Sequence, residues 1–115
     1  MAGVRKIILV VAVIFSAISM ANLAEAAWIQ DYRGVMLWNP QPTDGESIEW
    51  SGGYVQEGNY RYAEGRGTVV WRRYGKVVQI DEGGFSRGRH HGWFKHQFFP
   101  SGRIEYSNWD HGREI

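Results

Sequence analysis

The sequence predicts an all-β protein, an antiparallel meander of β-hairpin repeats preceded by an N-terminal signal helix. Three observations support this prediction. One glycine-spaced pattern occurs twice between Glu64 and Gly112. No stretch after residue 26 has apolar residues at helical spacing over ten or more positions. Finally, 14 of the 15 glycines lie after residue 26, and each would cost a helix interior roughly 1 kcal/mol relative to alanine.

The repeated pattern consists of two glycines that flank a strand-like run. Gly65 is followed by Gly75, and the same spacing recurs 27 residues later with Gly92 and Gly102. The runs between them are rich in aromatic and β-branched residues, as hairpin strands are. An aromatic-x-x-Gly sequence closes each copy. The positions that we assign to turns and core of the repeats are Trp50, Gly65, Trp71, Gly75, Phe85, Gly88, Gly92, Phe98, Gly102, Trp109 and Gly112.

The first 26 residues have the pattern of a secretory signal peptide. Arg5 and Lys6 precede a 15-residue apolar run, and Ala24 and Ala26 supply the small residues of a cleavage site. The run is shorter than the roughly 20 residues that a transmembrane helix needs, so we predict cleavage after Ala26 over retention as an anchor. The protein is therefore expected in the periplasm or outside the cell. A lipoprotein is not expected, because the chain has no cysteine.

The rest of the chain is predicted to comprise an N-terminal strand with a Pro/Gly loop, residues 27–46, and a repeat domain, residues 47–115. Residues 28–33 show no clear period and are expected to form a poorly ordered leader. Residues 35–38 are predicted to form a short buried strand, and the two prolines and the Asp-Gly of residues 39–45 predict a loop.

Alternation along the repeats predicts which side chains face the core. Arg66, Thr68, Val70 and Arg72 take the outer face of the first copy. The predicted inner face comprises Gly67, Val69, Trp71, Phe94, His96 and Phe98. Gly67 corresponds to Phe94, which suggests that one copy leaves a gap that the other fills.

The repeats resemble the MORN (membrane occupation and recognition nexus) repeat. A MORN unit has the sequence pattern aromatic-x-Gly-x-aromatic-x-x-Gly, followed by Gly-x-Gly, a strand and Pro-x-Gly. Residues 50–71 resemble one unit, residues 82–102 a second, and residues 106–112 the start of a third, so about two and a half repeats span most of the chain after residue 46. Because Phe94 replaces a glycine, the second unit also resembles YwqK-type antitoxin-like repeats. Residues 35–40 and 50–54 are similar to the segment that precedes the repeats of exported bacterial MORN proteins, although the cysteines expected near Val35 and Tyr54 are absent.

The resemblance implies a β-hairpin meander that binds or scaffolds, sometimes at lipid, and it implies no chemistry. The absence of cysteine also excludes disulfides and zinc-thiolate sites. All six Trp and all six Tyr lie after residue 26, so aromatic burial is expected to replace disulfides as the source of stability.

Candidate catalytic and metal-ligating groups do not converge in the sequence. His90 and His91 are strand neighbours and point to opposite faces, as do Asp81 and Glu82. Neither a Gly-x-Ser-x-Gly elbow nor a phosphate-binding loop is present. The serines that we assign to turns are Ser51, Ser86, Ser101 and Ser107. The sequence therefore predicts no enzyme activity, no catalytic residue, no metal and no cofactor.

Basic residues are interleaved with aromatic residues in the repeats, a mixture that suits acidic partners. Residues 61–103 hold nine basic and three acidic side chains, whereas residues 27–60 hold one basic and five acidic side chains. The candidate binding residues are Arg66, Arg72, Arg73, Arg89, Trp93, Lys95 and Phe99. The alternative is that the arginines only keep an aromatic sheet soluble.

The function that we predict is that of an exported, non-catalytic binding or scaffold module. One alternative is a peripheral binder of anionic lipid or acidic glycan, and another is a small hydrolytic enzyme or its accessory domain. The expected partner is a protein or an anionic envelope component. Export argues against nucleic acid, and the uneven charge makes self-association at open sheet edges plausible.

Overall fold

A computed structural model describes residues 25–115 of the chain. This part is all-β, with ten strands and no helix, and the predicted all-β fold is confirmed. The predicted signal helix and cleavage site fall mainly on residues 1–24, outside the described residues. Within residues 25–115 we find no helix that is long and apolar enough to cross a membrane.

The strands are β1 (Ala27–Gln30), β2 (Val35–Asn39), β3 (Glu46–Trp50), β4 (Gly53–Glu57), β5 (Tyr60–Arg73), β6 (Lys76–Ser86), β7 (Arg89–His90), β8 (Gly92–Phe98), β9 (Ile104–Asp110) and β10 (Arg113–Glu114). They form one curled sheet in the order β10-β9-β8-β6-β5-β2-β1. Strands β3 and β4 pair with β5, and β7 pairs with β6. All pairings are antiparallel except that of β2 with β5.

The 14-residue strand β5 joins the two parts of the sheet. Its first half pairs with β4 and, in parallel, with β2. Its second half pairs with β3 and β6, and β8 and β9 extend the sheet beyond β6. The polar alternation of β3, where Ile48 and Trp50 are buried and Glu49 is exposed, places one face of this sheet toward the core.

Residues 28–33 were expected to be a poorly ordered leader, and this prediction is wrong for the part that forms β1. Strand β1 pairs with β2, opposite register positions being Trp28 and Trp38. The ring of Trp28 lies 5.1 Å from that of Trp38 and 5.3 Å from that of Tyr62. These aromatic contacts come from β2 and β5, so no local period in residues 28–33 could indicate them.

Recurrent glycines lie at the tight turns between strands. Tyr74-Gly75, Arg87-Gly88 and His111-Gly112 each have positive φ at both residues, between 47° and 92°. Two successive residues with positive φ are typical of type I′ hairpin turns, whose twist matches that of the strands. The aromatic-x-x-Gly spacing of the repeats thus corresponds to two of these turns.

The core lies on the inner face of the curled sheet. Val69, Trp71 and Phe94 are buried there as predicted, together with Trp50 and Phe85. His96 and Phe98 are half-buried on the same face.

The predicted gap between the copies is filled differently from our expectation. A Cβ on Gly67 would lie 2.8 Å from Cη2 of Trp50, whereas a Cβ on Gly83 would lie 2.4 Å from Cδ2 of Phe94. The ring of Phe94 therefore packs over Gly83, and Trp50 fills the space that Gly67 leaves.

Candidate functional site

An open cleft of about 480 Å³ lies between the inner face of the sheet and the β2–β3 connection. Its lining combines aromatic, amide, imidazole and carboxylate side chains. We define the cleft by the residues that line it, namely Asn39, Pro40, Gln41, Glu46, Trp71, Gln79, Asp81, His90, His96, Trp109 and Glu114. A concave site with aromatic walls and a few convergent polar groups is the usual form of a small-molecule site.

The buried carboxylate of Asp81 is the centre of the polar side of the cleft. The register places Val69, Asp81 and His96 side by side on the inner face. Trp71 donates its indole N–H to Oδ2 of Asp81 at 2.8 Å, and Gln79 donates to Oδ1 at 2.8 Å. His96 Nδ1 donates to Oδ1 at 2.7 Å. Three donors thus compensate the charge of a side chain that is 2% exposed.

His96 connects this carboxylate to Ser107. Its Nε2 lies 2.6 Å from Oγ of Ser107, and the same oxygen accepts the indole N–H of Trp109 at 2.6 Å. The hydrogen bond to Asp81 raises the pKa of His96 above its usual value, against the opposing effect of burial. Ser107 lies within β9. Our assignment of this serine to a turn was therefore wrong. Its contact with His96 connects β9 to β8.

His90 is the second imidazole of the cleft, and its environment is apolar. Its ring lies 4.9 Å from Phe85, 4.6 Å from Phe94 and 4.7 Å from Trp109. Burial lowers its pKa to about 4, with nearby Asp81 acting in the opposite direction, so the ring is neutral at neutral pH. The side chain has no hydrogen-bond partner within residues 25–115, even though the residue is only 7% exposed and a ring so deeply buried normally has one. Its ring nitrogens can therefore be satisfied from the cleft.

The charged side chains of the cleft are acidic. Glu46, Asp81 and Glu114 carry carboxylates, and among the described lining residues none is Lys or Arg. Glu46 accepts hydrogen bonds from the side chain of Asn39 and the backbone of Thr43, which hold the β2–β3 connection against β3. The cleft thus suits uncharged or cationic ligands better than anionic ones.

The sequence-predicted binding residues do not line the cleft. Register positions place Arg66, Arg72 and Lys95 on the outer face. Lys95 lies opposite Glu82, and Arg72 forms an ion pair of 2.8 Å with Glu49. This face is therefore less basic than the sequence suggested.

The remaining predicted binding residues are dispersed. Trp93 is 64% exposed, and Phe99 follows the end of β8 and is half-buried. Arg73 lies beside the β5–β6 turn and donates to the backbone oxygen of Asp44. The guanidinium of Arg89 lies over the rings of Trp28 and Trp38, at 5.4 and 4.6 Å from their centroids, on a different part of the molecule.

A separate cluster of donor atoms lies outside the cleft, although the sequence predicted no metal site. His91 is exposed and points away from buried His90, as the alternation predicted. The structure brings it close to Asp110 and His111. Sequence reasoning missed this cluster because the spacing between the two segments carries no metal-binding signature.

Sequence reasoning also missed the cleft. One signal was available, since Asp81 and His96 are polar residues at positions whose alternation places them on the core face. A buried charge needs partners, so two such residues predict a polar network, but not its location. Comparison with known proteins adds no assignment: no family model, no curated protein and no solved structure matches the chain.

Proposed function

We propose that this chain is an exported, non-catalytic binding module of MORN-like repeats that binds a neutral saccharide in the cleft. The observation that carries the proposal is His90, a neutral and nearly buried imidazole that faces the cleft without a protein hydrogen-bond partner in residues 25–115. A buried polar group without a partner costs about 1–3 kcal/mol, which a ligand hydroxyl group would recover.

The other cleft residues support a sugar in two ways. The rings of Trp71 and Trp109 offer apolar faces with polar edges, which suit the mixed surface of a saccharide. The amides of Asn39 and Gln79 and the carboxylate of Glu114 supply further hydrogen-bonding groups. An anionic ligand would meet the carboxylates of Glu46 and Glu114 in the cleft, whereas the charge of Asp81 is already compensated by three donors.

The hydrogen bonds of the polar network support a non-catalytic role. Asp81, His96 and Ser107 have the sequential hydrogen bonds of a Ser-His-Asp triad. However, Oγ of Ser107 also accepts the indole N–H of Trp109, so the oxygen that would act as the nucleophile is held in the cleft wall. We interpret the network as support for the cleft wall.

The alternative of an anionic surface binder has less support. On the outer face, Arg66 and exposed Trp93 remain available, whereas Arg72 and Lys95 lie beside acidic residues. An exposed ion pair such as that of Arg72 with Glu49 contributes little energy, but neighbouring carboxylates reduce the local positive potential.

The test is calorimetric titration of the protein with chitotriose, cellotriose and maltotriose. We expect saturable binding of at least one of them. His90→Phe and Trp109→Ala should each weaken it by about tenfold or more, which corresponds to roughly 1.4 kcal/mol. Trp93→Ala is the matched control, because it removes an exposed indole from the opposite face and should leave the affinity unchanged.

Other outcomes would replace the proposal. Binding of spermidine instead of the sugars would assign a cationic ligand to the cleft. Binding to phosphatidylglycerol vesicles that is lost in the Arg66→Glu variant would assign function to the outer face. Cleavage of a bound sugar that stops in the Ser107→Ala variant would make the protein a hydrolase.

A further inference from the structure

Three exposed side chains with metal-binding atoms meet at one end of the sheet. His91 precedes β8, Asp110 ends β9 and His111 lies in the turn to β10. One donor atom from each lies within 4.8 Å of the other two. Nδ1 of His91 is 3.9 Å from Oδ1 of Asp110, and Nδ1 of His111 is 2.7 Å from the same oxygen. Two segments about 20 residues apart thus supply two imidazoles and a carboxylate.

The first repeat has a turn of the same geometry. There, the backbone N–H of Arg87 donates to Oε1 of Glu64 at 2.9 Å. In the second repeat, the backbone N–H of His111 donates to Nδ1 of His91 at 3.2 Å. In both turns, the glycine that follows donates its N–H to the backbone oxygen of the residue just before this acceptor, at 2.8 and 2.7 Å.

This internal comparison separates the structural role of the turn from any further role. A glutamate can accept the turn hydrogen bond, as Glu64 does. The turn therefore does not require a histidine at position 91. The first copy has Ser86 and Arg87 where the second has Asp110 and His111, so only the second copy combines three ligand-forming side chains. The two turns therefore differ in the number of side chains that can bind a metal ion.

The donor set indicates the class of ion. Two imidazole nitrogens and one carboxylate oxygen suit Zn²⁺ and Cu²⁺, whereas Mg²⁺ and Ca²⁺ prefer oxygen ligands alone. Three protein ligands on an exposed surface leave coordination positions for water or for a partner's side chain.

We propose that His91, Asp110 and His111 bind one divalent transition-metal ion of the Zn²⁺ class, at a site separate from the cleft. Binding requires small rotations of the side chains, which exposure permits, and it replaces the 3.2 Å hydrogen bond to His91. The ion would connect the start of β8 to the β9–β10 turn, and so would stabilise the short edge strand β10.

Two substitutions remove an imidazole and preserve the turn. Gln in place of His91 keeps a side-chain acceptor for the backbone N–H of residue 111. Asn in place of His111 tolerates the positive φ of 47° at this position and forms an Asn-Gly pair, which hairpin turns favour. The matched control is Glu64→Gln, which changes the equivalent acceptor of the first repeat.

The experiment is calorimetric titration of untagged protein with ZnCl₂ in a non-chelating buffer at neutral pH. We expect one ion per chain, and an affinity that falls by about tenfold or more in His91→Gln and in His111→Asn but not in Glu64→Gln. With CuCl₂, electron paramagnetic resonance should show nitrogen couplings from two imidazoles. Circular dichroism at the same pH verifies that each variant is folded.

Three results would overturn the proposal. One is the absence of saturable one-to-one Zn²⁺ binding by the unmodified protein. Another is unchanged affinity in both histidine variants, which would place the ion elsewhere. The third is an equal loss in Glu64→Gln, which would show a general effect of the turns.

Discussion

Replacement of His90 by Phe should remove a specific part of the acid sensitivity of this fold. The imidazole is 7% exposed and is packed among Phe85, Phe94 and Trp109. A phenyl ring of similar shape can take its place among these rings, but it cannot bind a proton. The variant thus separates the cost of protonation from the loss of packing.

The magnitude follows from the two pKa values of His90. Its pKa is about 4 in the folded protein and 6.5 in an unstructured peptide, which represents the unfolded chain. Between these values the unfolded chain binds a proton that the folded protein does not, so stability falls as the pH falls. At roughly 1.4 kcal/mol per pKa unit, acidification from pH 7 to pH 4 costs about 3 kcal/mol from this residue.

His96 acts in a different pH range and with the opposite sign. Its folded pKa is raised above 6.5, so its contribution is fully present below 6.5 and is lost as the pH rises through the folded pKa. The loss between pH 6.5 and pH 4 is therefore separable from the effect of His96. Carboxylates that protonate at acidic pH are shared by both proteins and cancel in the comparison.

The assay is urea denaturation at pH 7 and pH 4, followed by tryptophan fluorescence. We expect the free energy of unfolding of the unmodified protein to fall by about 3 kcal/mol more than that of His90→Phe. Trp93→Ala is the control, since this exposed side chain has no titratable group and its loss should leave the acid sensitivity unchanged. Equal losses in the unmodified protein and in His90→Phe would refute the reasoning.

Two further predictions concern the inner face of the sheet. Gly83→Ala should lower the free energy of unfolding by about 1–3 kcal/mol, because the added Cβ would lie 2.4 Å from Phe94. Gly53→Ala is the control, since its added Cβ would have its nearest atom at 3.6 Å and should be neutral or stabilising. Thermal denaturation of both variants measures the difference, and equal effects would contradict this reasoning. Asp81→Asn should lower the free energy of unfolding by about 3 kcal/mol, and should remove the loss of stability that deprotonation of His96 causes as the pH rises above 6.5. Urea denaturation measures both effects. Glu82→Gln, on the exposed side of the strand, is the control and should change the free energy of unfolding by less than about 0.5 kcal/mol. A pH profile that persists in Asp81→Asn would show that another group causes it.

Glycine spacing indicated much of the fold because turn chemistry is local. Gly75, Gly88 and Gly112 each follow a residue with positive φ, and this need can be satisfied within the turn itself. Alternation also identified Val69, Trp71 and Phe94 as core residues, because the side-chain period of a strand is fixed. The pairing of β1, in contrast, depends on aromatic rings contributed by β2 and β5.

The candidate sites depend on contacts that sequence spacing does not encode. Asp81 and His96 come from neighbouring strands, 15 residues apart, and Ser107 comes from a third strand. Only the register between β6, β8 and β9 brings them together. The basic residues predicted as a binding face show the same dependence on register. Glu49 and Glu82, from other strands, offset the positive charges of Arg72 and Lys95.

The sequence by itself determined the all-β class, the glycine turns of the repeats and the inner-face positions of Val69, Trp71 and Phe94, because these follow from backbone sterics and a two-residue period. Tertiary structure alone decided that the inner face carries a cleft lined by His90, and that His91 meets Asp110 and His111 at the end of the sheet. The physical reason is that strand register and sheet curl set distances between residues remote in sequence. Small differences between the copies, such as Glu64 against His91, acquire a chemical meaning only at those distances.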